Sequence, residues 1–196
     1  MAIHTPVTSP GIYFITFTCY RWLSLIEISQ TYDKVYKWFD VLTSRGHGIT
    51  GYVIMPNHIH LLLYYAGTET SLNLVVGNGK RFLAYDMVQR LTEQKQERLL
   101  IALEQGVRPA NKKRGKKHEV WIDSFDVKEC RTESFILQKL NYIHNNPCTG
   151  RWKLAETSVH YIHSSASFYI SGNKRYHGLR DYRDFLIPMS PPQVFE

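Results

Sequence analysis

Two kinds of hydrophobic pattern alternate along the chain. Short runs of β-branched and aromatic residues predict strands at 12–18, 49–55, 58–64 and in the region 119–128. Longer segments, with apolar residues every three or four positions, predict helices at 29–45, 70–95 and 133–145. Ser29 and Thr132 are the expected N-caps of the first and last of these helices. A short helix near 165–170 and a docking segment through Tyr182 and Phe185 are expected in the tail.

The resulting order of elements is β-α-β-β-α-β-α followed by a tail. This order is typical of an α+β fold, and we predict a ferredoxin-like or RRM-like antiparallel sheet with helices packed on one face. A chain of 196 residues is long enough for one domain with its own core. We expect that domain to span 1–152, with 153–196 as a C-terminal extension docked on it.

The charge of the chain favours a polyanionic partner. Lys and Arg number 24 against 17 Asp and Glu, which gives a net charge of +7. Basic residues concentrate in the predicted loop 106–118 and on the second predicted helix, so the candidates for contact with DNA phosphates are Lys80, Arg81, Lys112, Lys113, Arg114, Lys116 and Lys117. The same residues are equally compatible with a solvated loop and an ordinary exposed helix face.

Several other classes of protein are disfavoured. No run approaches the ~20 apolar residues of a membrane span, and no secretory signal opens the sequence. The cysteines Cys19, Cys130 and Cys148 are odd in number and form no CxxC pair, which argues against a disulfide framework or a zinc ribbon. We therefore expect a cytoplasmic protein with no membrane partner.

His58 and His60 flank Ile59 on a predicted strand. Side chains alternate between the faces of a strand, so the two imidazoles point the same way and can share a metal ion. Two exposed histidines on a solvated face are the alternative interpretation.

Tyr142 and Asn146 lie four residues apart on the last predicted helix and therefore on one face. Asn146 offers an amide oxygen as a third metal ligand. Tyr142 offers a phenolic nucleophile, which needs activation at neutral pH. In a chain with 13 tyrosines, half-buried packing is the alternative role for Tyr142.

Two sequence blocks resemble motifs of the single-tyrosine HUH transposases of insertion sequences. The blocks are Met-Pro-Asn-His-Ile-His-Leu-Leu at 55–62 and Tyr-Ile-His-Asn-Asn-Pro at 142–147. The sequence is most similar to the REP-associated tyrosine transposases, and the resemblance runs from about Gly11 to Trp152.

The resemblance implies a metal-dependent enzyme that cuts and rejoins single-stranded DNA at hairpin-bearing sites. His58 and His60 would hold Mg²⁺ or Mn²⁺, and Tyr142 would attack the phosphate to give a 5′-phosphotyrosine. Asn146 stands where insertion-sequence relatives carry Gln, one methylene longer. Many of those relatives are homodimers in which the tyrosine helix of one subunit serves the other's metal site, so a homodimer and a monomer both stay open.

Two alternatives belong to other functional classes. A domesticated regulator would bind hairpin DNA with little or no cleavage. An RNA-recognition-like module would need exposed aromatics on the central strands, for which Tyr13, Phe17 and Tyr52 are the candidates.

Overall fold

The computed structural model describes residues 6–68, 70–123, 125–150 and 152–186. The strands are β1 (Gly11–Thr18), β2 (Gly48–Ile54), β3 (His58–Tyr65) and β4 (Asp126–Glu129). The α-helices are α1 (Leu25–Ile28), α2 (Tyr32–Ser44), α3 (Leu72–Glu93), α4 (Glu97–Gln105), α5 (Pro109–Lys112), α6 (Glu133–Asn145) and α7 (Ala166–Ser171). Turns of 3₁₀ helix lie at Tyr20–Trp22, Asn146–Cys148, Ser158–His160 and Tyr182–Phe185.

The four strands form one antiparallel sheet in the order β2-β3-β1-β4. The first and third strands in sequence are thus central, which is the ferredoxin-like arrangement. In the register of the central pair, Thr16 lies opposite His60 and Thr18 opposite His58. The predicted α+β class and its antiparallel sheet are confirmed.

Helices cover both faces of the sheet, so the prediction of helices on one face needs correction. Alternate residues of β1 separate into two apolar clusters. Tyr13, Ile15 and Phe17 belong to the cluster that includes residues of α2 and α3. Ile12 and Phe14 belong to the cluster that includes α6. Strand β1 therefore carries apolar side chains on both faces, because each face is buried.

The helix boundaries differ from the predicted ones at several points. Ser29 ends α1 and does not cap α2, since Gln30 has a φ of 53° that interrupts the helical path. The predicted helix 70–95 is α3, and a separate helix, α4, follows it. The predicted loop 106–118 contains the single turn α5. Thr132 caps α6 as predicted, accepting a hydrogen bond from the Phe135 backbone N–H.

The last predicted strand is shorter than expected. Only 126–129 pair with β1, whereas Trp121 forms a single bridge with Cys19. Ser124 lies outside the described residues.

The tail from 152 to 186 lies along the edge strand β2. The Ile54 N–H donates to the His163 carbonyl, and the Tyr161 hydroxyl donates to the Ile54 carbonyl at 2.8 Å. Further along β2, the Arg180 N–H donates to the Ile49 carbonyl. The tail thereby satisfies backbone groups that an edge strand would otherwise expose. The end of the expected extension, 187–196, lies outside the described residues.

Among the described residues, no helix is both long enough and apolar enough to cross a membrane.

Candidate active site

His58 and His60 lie on β3 and point to the sheet face that α6 covers. Each is 4% exposed, and their ring centroids are 4.8 Å apart. The strand alternation predicted their common face. Two exposed histidines on a solvated face, the alternative interpretation, are excluded by this burial.

The neighbouring Asn57 determines the tautomer of His58. The Asn57 amide nitrogen donates to the Trp22 carbonyl at 2.8 Å, which directs its oxygen to His58 Nδ1 at 2.6 Å. The oxygen can only accept, so Nδ1 carries the hydrogen. The lone pair of His58 is therefore on Nε2, as a metal ligand requires.

His60 is held in the same way from strand β1. Its Nδ1 is 2.7 Å from the Thr16 hydroxyl oxygen, the residue opposite it in the sheet. Burial, with His58 and Lys139 nearby, lowers the pKa of His60 to about 3. The ring is therefore neutral at physiological pH, which is the form that binds metals.

Helix α6 brings Asn146 to the histidines. Asn146 follows the last turn of α6 and begins the 3₁₀ turn Asn146–Cys148. Its amide nitrogen is 3.5 Å from His60 Nε2, across the sheet-helix boundary. Its amide oxygen is buried with no hydrogen-bond partner among the described residues. A buried oxygen without a partner is costly, and a cation beside it would satisfy it.

Tyr142 stands on the same face of α6, one turn before Asn146. Its ring centroid is 5.2 Å from that of His60 and 6.1 Å from that of Phe14. The side chain is 51% exposed, in contrast to the buried histidines beside it. The tyrosine is therefore in contact with the histidine pair and accessible from solvent, which simple packing does not require.

These residues fit a divalent metal. The imidazoles of His58 and His60 lie beside the Asn146 amide, whose nitrogen is 3.5 Å from His60 Nε2 and whose oxygen is buried without a hydrogen-bond partner among the described residues. In that part of the chain no group of three His, Cys, Asp or Glu side chains is placed to hold a metal ion, so the amide oxygen is the third candidate ligand. A set with only three protein ligands leaves positions for phosphate oxygens and water, which suits Mg²⁺ or Mn²⁺ in an oxygen-rich coordination sphere. His144, the histidine on α6, is turned away and lies 2.9 Å from the Ser165 hydroxyl through Nε2.

Three residues of this site were not expected from the sequence. Asn57 and Thr16 orient the histidines, and a strand pairing between β1 and β3 would have identified Thr16. Lys139 lies one turn before Tyr142 on α6, with its ammonium 6.0 Å from the Tyr142 ring centroid and 4.9 Å from that of Phe14. Lys139 and Tyr142 are three residues apart, which puts both on one face of a helix, so this spacing could have identified Lys139 from the sequence.

The site opens into a cavity of about 750 Å³. Basic and aromatic side chains line it together with the histidines, namely Trp22, Lys128, Lys139, Tyr142 and Trp152.

Lys80 has a structural position, which corrects its prediction as a DNA contact. It is 8% exposed, and its ammonium donates to the Ile122 carbonyl at 3.0 Å. Trp121 in turn donates its indole N–H to the Lys80 carbonyl. Long-range packing of α3 against 120–122 thus buries a lysine that the helical pattern could not distinguish from a surface residue.

The other predicted DNA contacts lie at the surface. Arg81, Lys112, Lys113, Arg114 and Lys117 are exposed. Lys116 is partly buried and pairs with Glu119, and Asp123 is 3.7 Å away. Arg81, Arg114 and Lys117 line a second cavity of about 890 Å³ between α3 and the segment after α5.

The chain matches known proteins in its three-dimensional structure and not in its sequence. No protein-family model matches the chain, and no curated protein sequence does. A REP-associated tyrosine transposase, solved bound to a REP hairpin, matches with a TM-score of 0.58 at 14% identity, covering 90% of each chain. A protein of Deinococcus radiodurans R1, provisionally named a transposase, matches with a TM-score of 0.37 at 16% identity. That match covers 74% of this chain and 97% of the other.

The second match is too distant to establish a common fold. The first establishes one, over nearly the whole described chain, and agrees with the resemblance seen in the motifs around His58 and Tyr142. The chain therefore has the fold of a REP-associated tyrosine transposase.

Proposed function

We propose that the protein is a metal-dependent transposase that cleaves and rejoins single-stranded DNA at hairpin-bearing sites through a covalent bond to Tyr142. The observation that carries this proposal is the convergence on His60 of Tyr142, from α6, and Asn146, which directly follows α6, with His58 beside His60 on β3. The two sequence blocks are some 80 residues apart, so chance proximity would not produce this set. The shared fold supports the same conclusion.

In the proposed reaction, the Tyr142 phenolic oxygen attacks the scissile phosphorus. A tyrosine-phosphate bond forms, the bond to the 3′ oxygen breaks, and that oxygen leaves as a 3′-hydroxyl after taking up a proton. The phenolic proton is lost to solvent, to which the half-exposed side chain has access. One phosphodiester replaces another, so a second 3′-hydroxyl can reverse the step without ATP.

His58, His60 and Asn146 would hold the metal, which when bound supplies charge neutralisation at the phosphate. The hydrogen bond that His58 donates to Asn57 and the hydrogen bond between His60 and Thr16 keep both imidazoles in their orientation. Lys139 adds a fixed positive charge on the same side as Tyr142. The exposed basic residues near α5 would contact the DNA backbone.

Covalent trapping on an oligonucleotide tests this proposal. The probe is a fluorescent single strand that carries a hairpin flanked by randomised single-stranded segments. With Mg²⁺ or Mn²⁺, a protein-DNA adduct should survive denaturing electrophoresis, and Tyr142→Phe should abolish it. Tyr85→Phe is the matched control, because Tyr85 is a 65% exposed tyrosine on α3, away from the histidines.

An adduct in Tyr142→Phe would show that another residue is the nucleophile. Hairpin binding without any adduct in the wild type would favour a DNA-binding regulator that has this fold.

A further inference from the structure

Trp22 is a large apolar side chain that the fold leaves exposed at the mouth of the site. It is 53% exposed, although it lies next to the buried His58, with the ring centroids 5.8 Å apart and the planes at 68°. The indole of Trp152 lies 6.1 Å from the same imidazole. Both tryptophans line the cavity that contains Tyr142 and Asn146. Trp22 therefore presents an exposed indole to the same cavity as the histidines and Tyr142.

The backbone holds Trp22 in a costly conformation. Arg21 and Trp22 have φ values of 51° and 59°, in the left-handed region that side chains other than glycine rarely adopt. Such a conformation persists only where the surrounding structure enforces it. Here the Trp22 carbonyl accepts from Asn57, and the Trp22 N–H donates to the Cys19 carbonyl at 3.0 Å. Through Asn57, the position of the indole is tied to that of His58.

The chemistry around Trp22 favours a nucleobase as its ligand. Lys128 and Lys139 line the same cavity and attract phosphates, and an indole face provides a stacking platform for any base. Proteins that bind single strands combine these two features. A double-stranded segment would keep its bases stacked on each other, so only an unpaired base is available to the indole.

We propose that Trp22 is a stacking site for one unpaired base of the DNA strand, next to the phosphate held at His58 and His60. This inference rests on the proposed function for the position of that phosphate. It assigns to Trp22 a part in binding the strand and no part in breaking the bond. The stacking makes the site tolerant of base identity but dependent on a base being present.

Equilibrium binding of two single strands tests the inference. One probe is a fluorescent thymidine 20-mer, and the other is a 20-mer of abasic residues with the same phosphates. Binding is measured by fluorescence anisotropy with Mg²⁺ in a Tyr142→Phe background, in which the proposed cleavage cannot occur. Adding Trp22→Ala should weaken binding of the thymidine strand by about tenfold and leave binding of the abasic strand unchanged. Trp22→Phe, which retains an aromatic ring, should recover most of the loss.

Ile170→Ala is the control, because Ile170 is an exposed apolar residue on α7 that does not line the cavity of the histidines. The salt dependence of binding should be the same with and without Trp22, since the phosphate contacts remain. Equal weakening of both strands, or of neither, would overturn the inference. This outcome is independent of the adduct experiment. If the wild type forms the adduct but Trp22→Ala binds both strands normally, the proposed function stands and the stacking site is ruled out.

Discussion

Asn57 orients His58, one of the two proposed metal ligands. Its side chain is fully buried, donates to the Trp22 carbonyl and accepts from His58 Nδ1. Hydrogen bonds of this kind fix the ring orientation and tautomer of a metal-binding histidine. The residue before the His-Ile-His pair is therefore a positioning residue for the proposed ligand His58.

Asn57→Ala should weaken Mn²⁺ binding by about 10- to 100-fold, because His58 loses the acceptor that holds its Nδ1–H. Isothermal titration calorimetry with Mn²⁺ measures this. Asn57→Asp, which still accepts from His58 but cannot donate to the Trp22 carbonyl, should retain more of the affinity than Asn57→Ala. Asn145→Ala is the control, since the Asn145 amide bonds to Asn141 at the surface. Unchanged Mn²⁺ affinity in Asn57→Ala would contradict the assigned role.

Lys80 makes the stability of the fold depend on pH. Burial, with the Lys116 ammonium nearby, lowers its pKa from 10.5 to about 8. Between these values the unfolded chain binds a proton that the folded chain does not, so the free energy of unfolding rises with pH in this window. Below about pH 8 Lys80 is protonated in both the folded and the unfolded chain. The folded chain then buries a charged ammonium, which lowers its stability.

Relative to Lys80→Met, the wild type should therefore gain on the order of 3 kcal/mol of stability between about pH 8 and pH 10.5. Urea unfolding of both proteins at several pH values measures the difference, and the subtraction removes the titration of tyrosines and cysteines that both proteins share. A constant difference across this range would show that the pKa of Lys80 is not lowered in the folded state.

At the scale of elements, the packing of α6 on the sheet determines the site. Gly51 of β2 lies under α6, where a β-carbon would come within 2.7 Å of Leu140 Cδ2 and 3.3 Å of Ile143 Cδ1. The absence of a side chain at 51 lets the helix approach closely enough for Asn146 to reach His60. The helix that carries the nucleophile candidate is thus positioned by a glycine on an edge strand.

Gly51→Ala should destabilise the fold by about 1–3 kcal/mol, because the added methyl overfills the α6 interface. It should also lower the rate of adduct formation, since α6 carries Tyr142 and leads directly into Asn146. The matched control is Gly77→Ala on α3, where a β-carbon meets nothing within 4 Å. That variant should gain about 0.5–1 kcal/mol in unfolding free energy and retain the adduct rate. A Gly51→Ala protein of normal stability and rate would indicate that α6 accommodates the methyl without moving.

At the scale of the whole molecule, a single chain assembles the candidate site. Tyr142 and His60 of the same chain are in ring contact, and Asn146 of that chain reaches His60 Nε2. The sequence left open whether a partner's tyrosine would be needed. With this geometry, a homodimer is not required for the histidines and the tyrosine to meet.

Mixing two inactive variants should therefore fail to restore activity. One variant carries His58→Ala and His60→Ala with an intact tyrosine, and the other carries Tyr142→Phe with intact histidines. Different affinity tags on the two chains identify which one forms an adduct, and a mixture of each variant with wild type is the control. Adducts on the histidine-deficient chain would show that the tyrosine acts on the metal site of another subunit.

The sequence by itself determined the features that depend on short-range periodicity. Strand alternation put His58 and His60 on one face, and helical spacing put Tyr142 and Asn146 on one face, because neighbouring dihedral angles set these directions. The short Pro-Asn connection between the second and third strands predicted that these two strands are adjacent and antiparallel, as they are in the sheet. The shared fold, over 90% of the chain, agrees with the motifs in both blocks.

The tertiary structure decided which faces meet. Periodicity gives a helix an apolar stripe but does not say which side of the sheet it covers, so the layer formed by α6 was missed. The burial of Lys80, the contact between Thr16 and His60, and the link from Trp22 through Asn57 to His58 all join segments distant in sequence. Such contacts form only when the chain packs, because burial and hydrogen bonding depend on neighbours that local sequence does not specify.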